Sequence, residues 1–308
     1  MELSSRTKIR IALPENYDCE ALLNYHRWDK TLLAESTTAD SLSKGIMLDG
    51  RPARLDIRFG GKSAHVQISV DGAKCGSNKA RCIGRHLLGL NQPIDVFEQQ
   101  YRDHPEIGPL VRRQSGVRLP QVAPFEALSR AIMGQQVSVV SAIAIRRRLI
   151  ETAAIRHSSG IYCFPNPPAI LRIGRDNLLG SGFSNAKADT ILAVCDKIIE
   201  GDIPLDRWWE EVHDGESSDL EIAQKMLGFR GIGPWTVNYT LTRGFDWLDG
   251  SLHGDIGMRR GLELLLGLKE KVTEKFAEDW LKRFAPWRGL VTAHLWSLRF
   301  SSQHGVQS

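Results

Sequence analysis

The chain has no apolar run approaching the ~18–20 residues that a membrane-spanning helix needs, and its start, Met1-Glu2-Leu3-Ser4-Ser5-Arg6, lacks the apolar stretch of a signal peptide. A cytoplasmic protein with no membrane partner is therefore expected. Cysteine is sparse: Cys19, Cys75, Cys82, Cys163 and Cys195 are odd in number and scattered, without a CxxC pair. That argues against a disulfide framework, a zinc site or a cysteine-held iron–sulfur cluster, and buried reduced thiols are expected instead. Charge of one sign is not in large excess either. The net charge of +4 permits binding to a polyanion without requiring it. Internal repeats and low-complexity tracts are absent, which excludes solenoids and extended disordered segments. What remains is a 308-residue chain, 42% hydrophobic and 25% charged, with material for two or three packed domains.

Near the N-terminus Ile9, Ile11 and Leu13 alternate with Lys8 and Arg10, the period of a half-buried strand. Helical spacing follows from Asp18 to about Trp28. Ala53, Leu55, Ile57 and Phe59 alternate with charged residues, and after Gly60-Gly61-Lys62-Ser63 the alternation resumes at Ala64, Val66, Ile68 and Val70, which predicts a hairpin. A helix from about Asn78 to Leu90 closes an α+β domain over residues 1–100. The Pro, Gly and Arg density of residues 101–123 marks a connector that packs with the C-terminal helices. Residues 124–247 read as a helical domain and residues 248–308 as a C-terminal helical part. The fold class expected is multidomain α+β, an antiparallel-sheet domain followed by mostly α-helical domains.

One stretch stands out. Ser218 and Glu221 form a capping box, and Leu220, Ala223, Met226 and Leu227 follow at helical spacing. The turn Gly228-Phe229-Arg230-Gly231-Ile232-Gly233 then feeds a second helix at Pro234, whose missing N–H is not needed at a first helical position. Residues 218–242 thus make a helix-hairpin-helix. Free N–H groups at Gly231, Gly233 and Trp235 can hold an anion, reinforced by the helix dipole. An ordinary helical hairpin is the alternative on spacing alone.

The residues Leu227-Gly228-Phe229-Arg230-Gly231-Ile232-Gly233-Pro234-Trp235-Thr236-Val237-Asn238-Tyr239, followed by Gly254-Asp255-Ile256-Gly257-Met258-Arg259-Arg260, resemble the helix-hairpin-helix DNA glycosylases. Within that superfamily the chain is similar to the bacterial alkylpurine branch, DNA-3-methyladenine glycosylase II. Leu119-Pro120, the run Ala131-Ile132-Met133-Gly134-Gln135-Gln136-Val137-Ser138, and Ala285-Pro286-Trp287-Arg288 add matches in the same order.

The resemblance implies a base-excision repair enzyme that flips an alkylated purine, of the 3-methyladenine or 7-methylguanine type, out of double-stranded DNA and hydrolyses its N-glycosidic bond. Asp255 is the implied catalytic residue, stabilising an oxocarbenium-like transition state or activating water. Asp is also a favoured N-cap, and a helix follows it; both roles can hold together. Trp235 occupies the position at which bifunctional relatives carry a Schiff-base lysine, so a monofunctional enzyme is implied. Trp235, Tyr239, Trp287 and Tyr25 are the implied base pocket, whose electron-rich rings attract a cationic purine. The six other tryptophans, Trp28, Trp208, Trp209, Trp247, Trp280 and Trp296, read as core. Gln136, beside Gln135, takes the wedge position that fills the gap left by the flipped base; an interhelical turn is the plain alternative.

Gly231, Gly233 and Arg230 are the implied phosphate contacts of the hairpin, and Arg146-Arg147-Arg148 with Arg259-Arg260 are further basic candidates. Arg230 and Pro234 depart from the family pattern, the first adding a cation and the second removing one. No cofactor is required, but the family implies a structural sodium or potassium ion at the carbonyls of Leu227, Phe229 and Ile232. A monomer associated with the bacterial nucleoid through DNA is expected. Other lesions, hypoxanthine or ethenoadenine, are the alternative substrates, and a non-catalytic structure-specific DNA-binding protein is the alternative of another class.

Overall fold

The computed structural model describes residues 6–27 and 33–303, so Trp28 and Met1–Ser5 lie outside the described residues. Five strands, β1 (Arg6–Ala12), β2 (Glu35–Thr37), β3 (Ser41–Leu48), β4 (Arg51–Gly60) and β5 (Ser63–Val70), form one antiparallel sheet in the order β1-β5-β4-β3-β2. Period-2 alternation sets the register of β4 and β5. Leu55 faces Ile68 and Ile57 faces Val66, so one face of the pair is continuously apolar and buried. Onto it pack α1 (Cys19–His26), capped by Asp18 on the Ala21 N–H, and α2 (Ser77–Leu87). The strands β2 and β3 are additions to the sequence-based reading. Their pattern is broken by Lys44, which is 1% exposed because its ammonium is held between two carboxylates.

Helices make up the remainder: α3 (Ile94–Tyr101), α4 (Gly108–Arg113), α5 (Pro124–Gly134), α6 (Val139–Ala153), α7 (Pro167–Gly180), α8 (Asn185–Glu200), α9 (Leu205–His213), α10 (Asp219–Leu227), α11 (Pro234–Gly244), α12 (Ile256–Leu266), α13 (Glu274–Lys282) and α14 (Arg288–Gln303). Two further cores organise them. Leu128, Ile132, Leu149, Ile191, Met226 and Leu241 bring α5 through α11 together. Phe97, Leu110, Met258, Leu262, Phe284 and Leu290 join α3 and α4 to α12–α14. Burying each such side chain contributes roughly 1.5–3 kcal/mol. By packing, α3 therefore sides with the C-terminal helices, and the boundary expected at residue 100 falls before Ile94.

The fold is thus α+β, with a sheet domain followed by helical domains. Three of the cysteines are buried as expected, whereas Cys82 is exposed and Cys19 half-buried. Among the described residues, no helix is long and apolar enough to cross a membrane.

Candidate active site

The hairpin is built as its residues dictate. Ser218 Oγ accepts the Glu221 N–H at 3.3 Å and Glu221 Oε2 accepts the Ser218 N–H at 2.9 Å, which starts α10. The turn closes with Ile232 N–H donating to the Phe229 carbonyl at 3.1 Å. Gly231 sits at φ +85°, and a Cβ there would fall 2.2 Å from Thr190 Oγ1 on α8; conformation and space both demand glycine. Gly233 precedes α11 with no side-chain cap and Pro234 occupies its first turn, so the first N–H groups of this helix are left without a capping side chain. Arg230 and Gly231 are exposed beside them.

On α11, Trp235 and Tyr239 stack at 5.3 Å between ring centroids. The Trp235 ring runs toward Gly134, where an added Cβ would already touch it at 3.4 Å. Burial pushes the Tyr239 phenol well above its ordinary value, with Tyr25, Arg243, Arg130 and Asp255 as its charged or titratable neighbours. It therefore remains a neutral O–H. Asp255 is the N-cap of α12: its Oδ1 accepts the Met258 N–H at 2.8 Å and the Trp296 Nε1–H at 2.9 Å. A Cβ on Gly257 would approach Asp255 Oδ1 to 2.9 Å and Trp296 Cδ1 to 3.2 Å, so a residue without a side chain lets α12 and α14 close on the carboxylate. Arg243 lies over Trp296 at 4.7 Å and over Tyr25 at 4.8 Å, which links both rings to the site. Tyr25 also takes a hydrogen bond from Arg130 Nη1 at 3.1 Å.

Behind Tyr25 lies a buried ion cluster. Lys44 reaches Glu35 at 2.7 Å and Glu126 at 3.0 Å. Arg130 reaches Glu126 at 2.6 Å and Glu35 at 3.2 Å, while Arg146 reaches the same pair at 3.1 and 2.8 Å. Burial alone would raise both carboxyls. Arg146 and Lys44 beside Glu35, and Lys44 and Arg130 beside Glu126, hold them well below the usual carboxylate range. His26, 3.6 Å from Glu35, is pushed down to about 4 by burial and stays neutral.

The structure redistributes several expected roles. Trp287 is not part of the pocket assembly: it is buried, donates Nε1–H to Gln100 Oε1 at 3.0 Å, and packs on Phe97. The tryptophan that reaches Asp255 is Trp296, which had read as core. The phase of α14 decides this, because it turns residue 296 toward α12. Gln135 is engaged elsewhere, donating to the Gly231 carbonyl and Thr236 Oγ1, each at 2.9 Å, so it clamps the hairpin to the preceding turn and is not a free wedge. Gln136 is exposed in a left-handed conformation, φ 53°, beside exposed Val137, Val139 and Val140. Arg146 is in the ion cluster and Arg148 Nε–H donates to the Ser181 carbonyl at 2.7 Å, so the triple-arginine run is largely turned inward. Arg259 is half-buried near the Val272 carbonyl, and Arg260 is exposed. Arg130 and Arg243 escaped the sequence reading. Their one signal was a charge among apolar neighbours: Leu128, Ala131 and Ile132 around the first, Leu241 and Phe245 around the second.

A sequence profile described as HhH-GPD superfamily base excision DNA repair protein matches residues 129–286. The chain is 29% identical over 194 residues to DNA-3-methyladenine glycosylase 2 of Escherichia coli K12, covering 62% of this chain and 63% of that relative. The chain thus spans less than two thirds of that relative's length. It is 21% identical over 300 residues to DNA-3-methyladenine glycosylase of Bacillus subtilis 168, covering 95% and 97%. In three dimensions it is similar to the 3-methyladenine DNA glycosylase from Archaeoglobus fulgidus, with a TM-score of 0.79 at 20% identity over 96% and 99% of the two chains. With half of its length matched by one profile, and with the hairpin and capped aspartate in place, the chain belongs to the HhH-GPD superfamily of base excision DNA repair proteins.

Proposed function

We propose that this chain is a monofunctional DNA glycosylase that hydrolyses the N-glycosidic bond of alkylated purines in double-stranded DNA. The observation that carries the reading is Asp255, held at the N-cap of α12 by two neutral donors, in one assembly with the stacked Trp235–Tyr239 pair. Both bonds fall on Oδ1, so among the described residues Oδ2 is the oxygen left to face the sugar. Among the described residues no cation is paired with it, and its charge is available to an oxocarbenium-like transition state. Trp235 stands where an amine would be needed for a Schiff base, so the product is an abasic site.

The hairpin N–H groups of Gly231 and Gly233, with Arg230 beside them, serve the phosphate backbone. Gln136 fills the vacated stack, with Val137 and Val140 as its apolar surround. A sodium or potassium ion suits the carbonyls of Leu227, Phe229 and Ile232: that of Phe229 accepts one N–H and retains a lone pair, and among the described residues no turn hydrogen bond takes the other two. The ion would fix the turn and has no part in the bond cleavage.

The test is base release from methylated DNA. The wild type should liberate 3-methyladenine or 7-methylguanine, and Asp255→Asn should lower release by about 10²–10³-fold while DNA binding persists. Asn caps a helix as well as Asp, so the fold should survive. Undiminished release by this variant would remove Asp255 from the mechanism.

One observation favours a second substrate class. Arg243 covers a face of both Tyr25 and Trp296, and Arg130 adds a cation beside Tyr25. Those rings are less attractive to a cationic base, and neutral flat lesions such as hypoxanthine or ethenoadenine would meet no such repulsion. A panel of lesion duplexes separates the two classes.

A further inference from the structure

His86 on α2, His213 at the end of α9 and Asp246 in the turn after α11 converge away from the aspartate site. Their ligand atoms all lie within 4.8 Å of one another, and this is the one such His/Cys/Asp/Glu group among the described residues. Asp246 Oδ2 is 2.8 Å from His86 Nδ1 and 3.3 Å from His213 Nε2.

The second nitrogen of each ring settles what the first can do. His86 Nε2 is 3.0 Å from the Val122 carbonyl, and His213 Nδ1 is 2.8 Å from the Trp209 carbonyl. A carbonyl only accepts, so each of these nitrogens carries the proton of a neutral imidazole. Both rings then aim a lone pair at the same carboxylate oxygen. With both rings in this neutral form three electron-rich atoms face one another, and either a second proton on each ring, donated to Asp246 across the 2.8 and 3.3 Å contacts, or a metal cation at their centre relieves the repulsion. A carbonyl on the far nitrogen is also the arrangement that orients metal-ligating histidines.

We infer that His86, His213 and Asp246 bind a divalent transition metal ion of the zinc type. Two imidazoles and a carboxylate are a zinc-type donor set, with water completing the fourth position. Tetrahedral ligands at about 2.0–2.1 Å stand about 3.3 Å apart. The His213–Asp246 separation already matches this, the His86–Asp246 pair has to open by about half an ångström, and the two imidazole nitrogens, within 4.8 Å of each other, have to close by at most about 1.5 Å. The surroundings hold the carboxylate in place. Gln92 Nε2 donates to Asp246 Oδ1 at 3.1 Å and Asn91 Nδ2 donates to Oδ2 at 3.2 Å. Asp246 itself adopts φ 60°, a left-handed conformation that a non-glycine residue keeps only when its surroundings hold it there. Trp209 covers both rings, 5.2 Å from His86 and 4.1 Å from His213, while His213 keeps an opening to solvent through which the ion can enter. The ion would staple the sheet domain, through α2, to α9 and to the turn after α11. Cysteine has no part in it.

The experiment uses the full chain, stripped with EDTA and titrated with Zn²⁺ by calorimetry and with Co²⁺ by visible absorption. One Zn²⁺ per chain should bind, Tm should rise on its addition, and Co²⁺ should give d–d bands while quenching indole fluorescence from Trp209. His213→Ala, at a partly exposed position that leaves the core intact, should abolish the stoichiometric binding and the Tm response. Asp246→Asn should do the same, and Cys82→Ser should change neither. Absence of saturable binding in the wild type would mean that two protons fill the site instead, and equal binding by His213→Ala would place the ion elsewhere; either result overturns the assignment.

Discussion

Two carboxylate environments meet at Tyr25, and they are built on opposite rules. Glu35 and Glu126 are surrounded by Lys44, Arg130 and Arg146, so their charge is cancelled inside the protein. Asp255 receives a backbone N–H and an indole N–H, both neutral, and its charge is oriented but not cancelled. The first arrangement serves cohesion between the sheet domain and the helices. The second leaves the carboxylate charge uncancelled, which is what the proposed chemistry requires. Arg130 and Arg243 lie between the two, each reaching an aromatic ring of the site, and neither is ion-paired with Asp255.

The sharpest way to break this contrast is to remove one of the cancelled charges. Glu126→Gln leaves three cations facing Glu35 alone and should lower unfolding free energy by about 3–5 kcal/mol in denaturant titration; a loss below about 1 kcal/mol would show that the cluster is not what joins the domains. Acid should act on the same cluster. His26 is held at about 4 in the fold, below its ordinary 6.5, so the unfolded chain binds the extra proton across that window. Stability should therefore be full above the upper value and fall by about 3 kcal/mol as pH drops toward the lower one. A His26→Phe variant should flatten that slope in thermal melts across the range.

On the uncancelled side, Trp296→Phe removes one donor from Asp255 Oδ1. A hydrogen bond to a charged acceptor is worth about 1.5–3 kcal/mol, so base release should fall by at least about tenfold with little change in Tm. An equal loss in stability and activity would mean that the indole is only packing. The smallest effect is expected at Gln136, which touches neither carboxylate group. Gln136→Ala should weaken release from duplex DNA by a few-fold and leave release from single-stranded substrate unchanged.

Much of the frame was readable along the chain. The Ala53–Leu55–Ile57 alternation and its continuation at Ala64–Val66–Ile68 placed β4 and β5, the Ser218–Glu221 pair placed the start of α10, and Asp255 was legible both as a helix cap and as the candidate for chemistry. What escaped depends on partners remote in sequence. Lys44 spoils the apolar pattern of β3, and its burial is explained by Glu35 on the neighbouring strand together with Glu126, far along the chain. The choice between Trp287, which lies just before α14 and turns to Gln100, and Trp296, which α14 turns toward α12, depends on packing that local spacing in an aromatic-rich segment does not determine. Arg243 has Asp246 three residues on, but that carboxylate is turned to His86 and His213, and the rings beside Arg243, Tyr25 and Trp296, come from distant segments.

That last arrangement has a bearing on how the protein comes into being. The aromatic walls beside Arg243 come from α1, near the start of the chain, and from α14, near its end. A nascent polypeptide can fold its sheet and assemble its hairpin on the ribosome while α14 is still unmade. In such an intermediate the hairpin is formed, yet Asp255 lacks its indole donor. On the proposed function, the aspartate site is completed only once α14 has been made, later in synthesis than the hairpin.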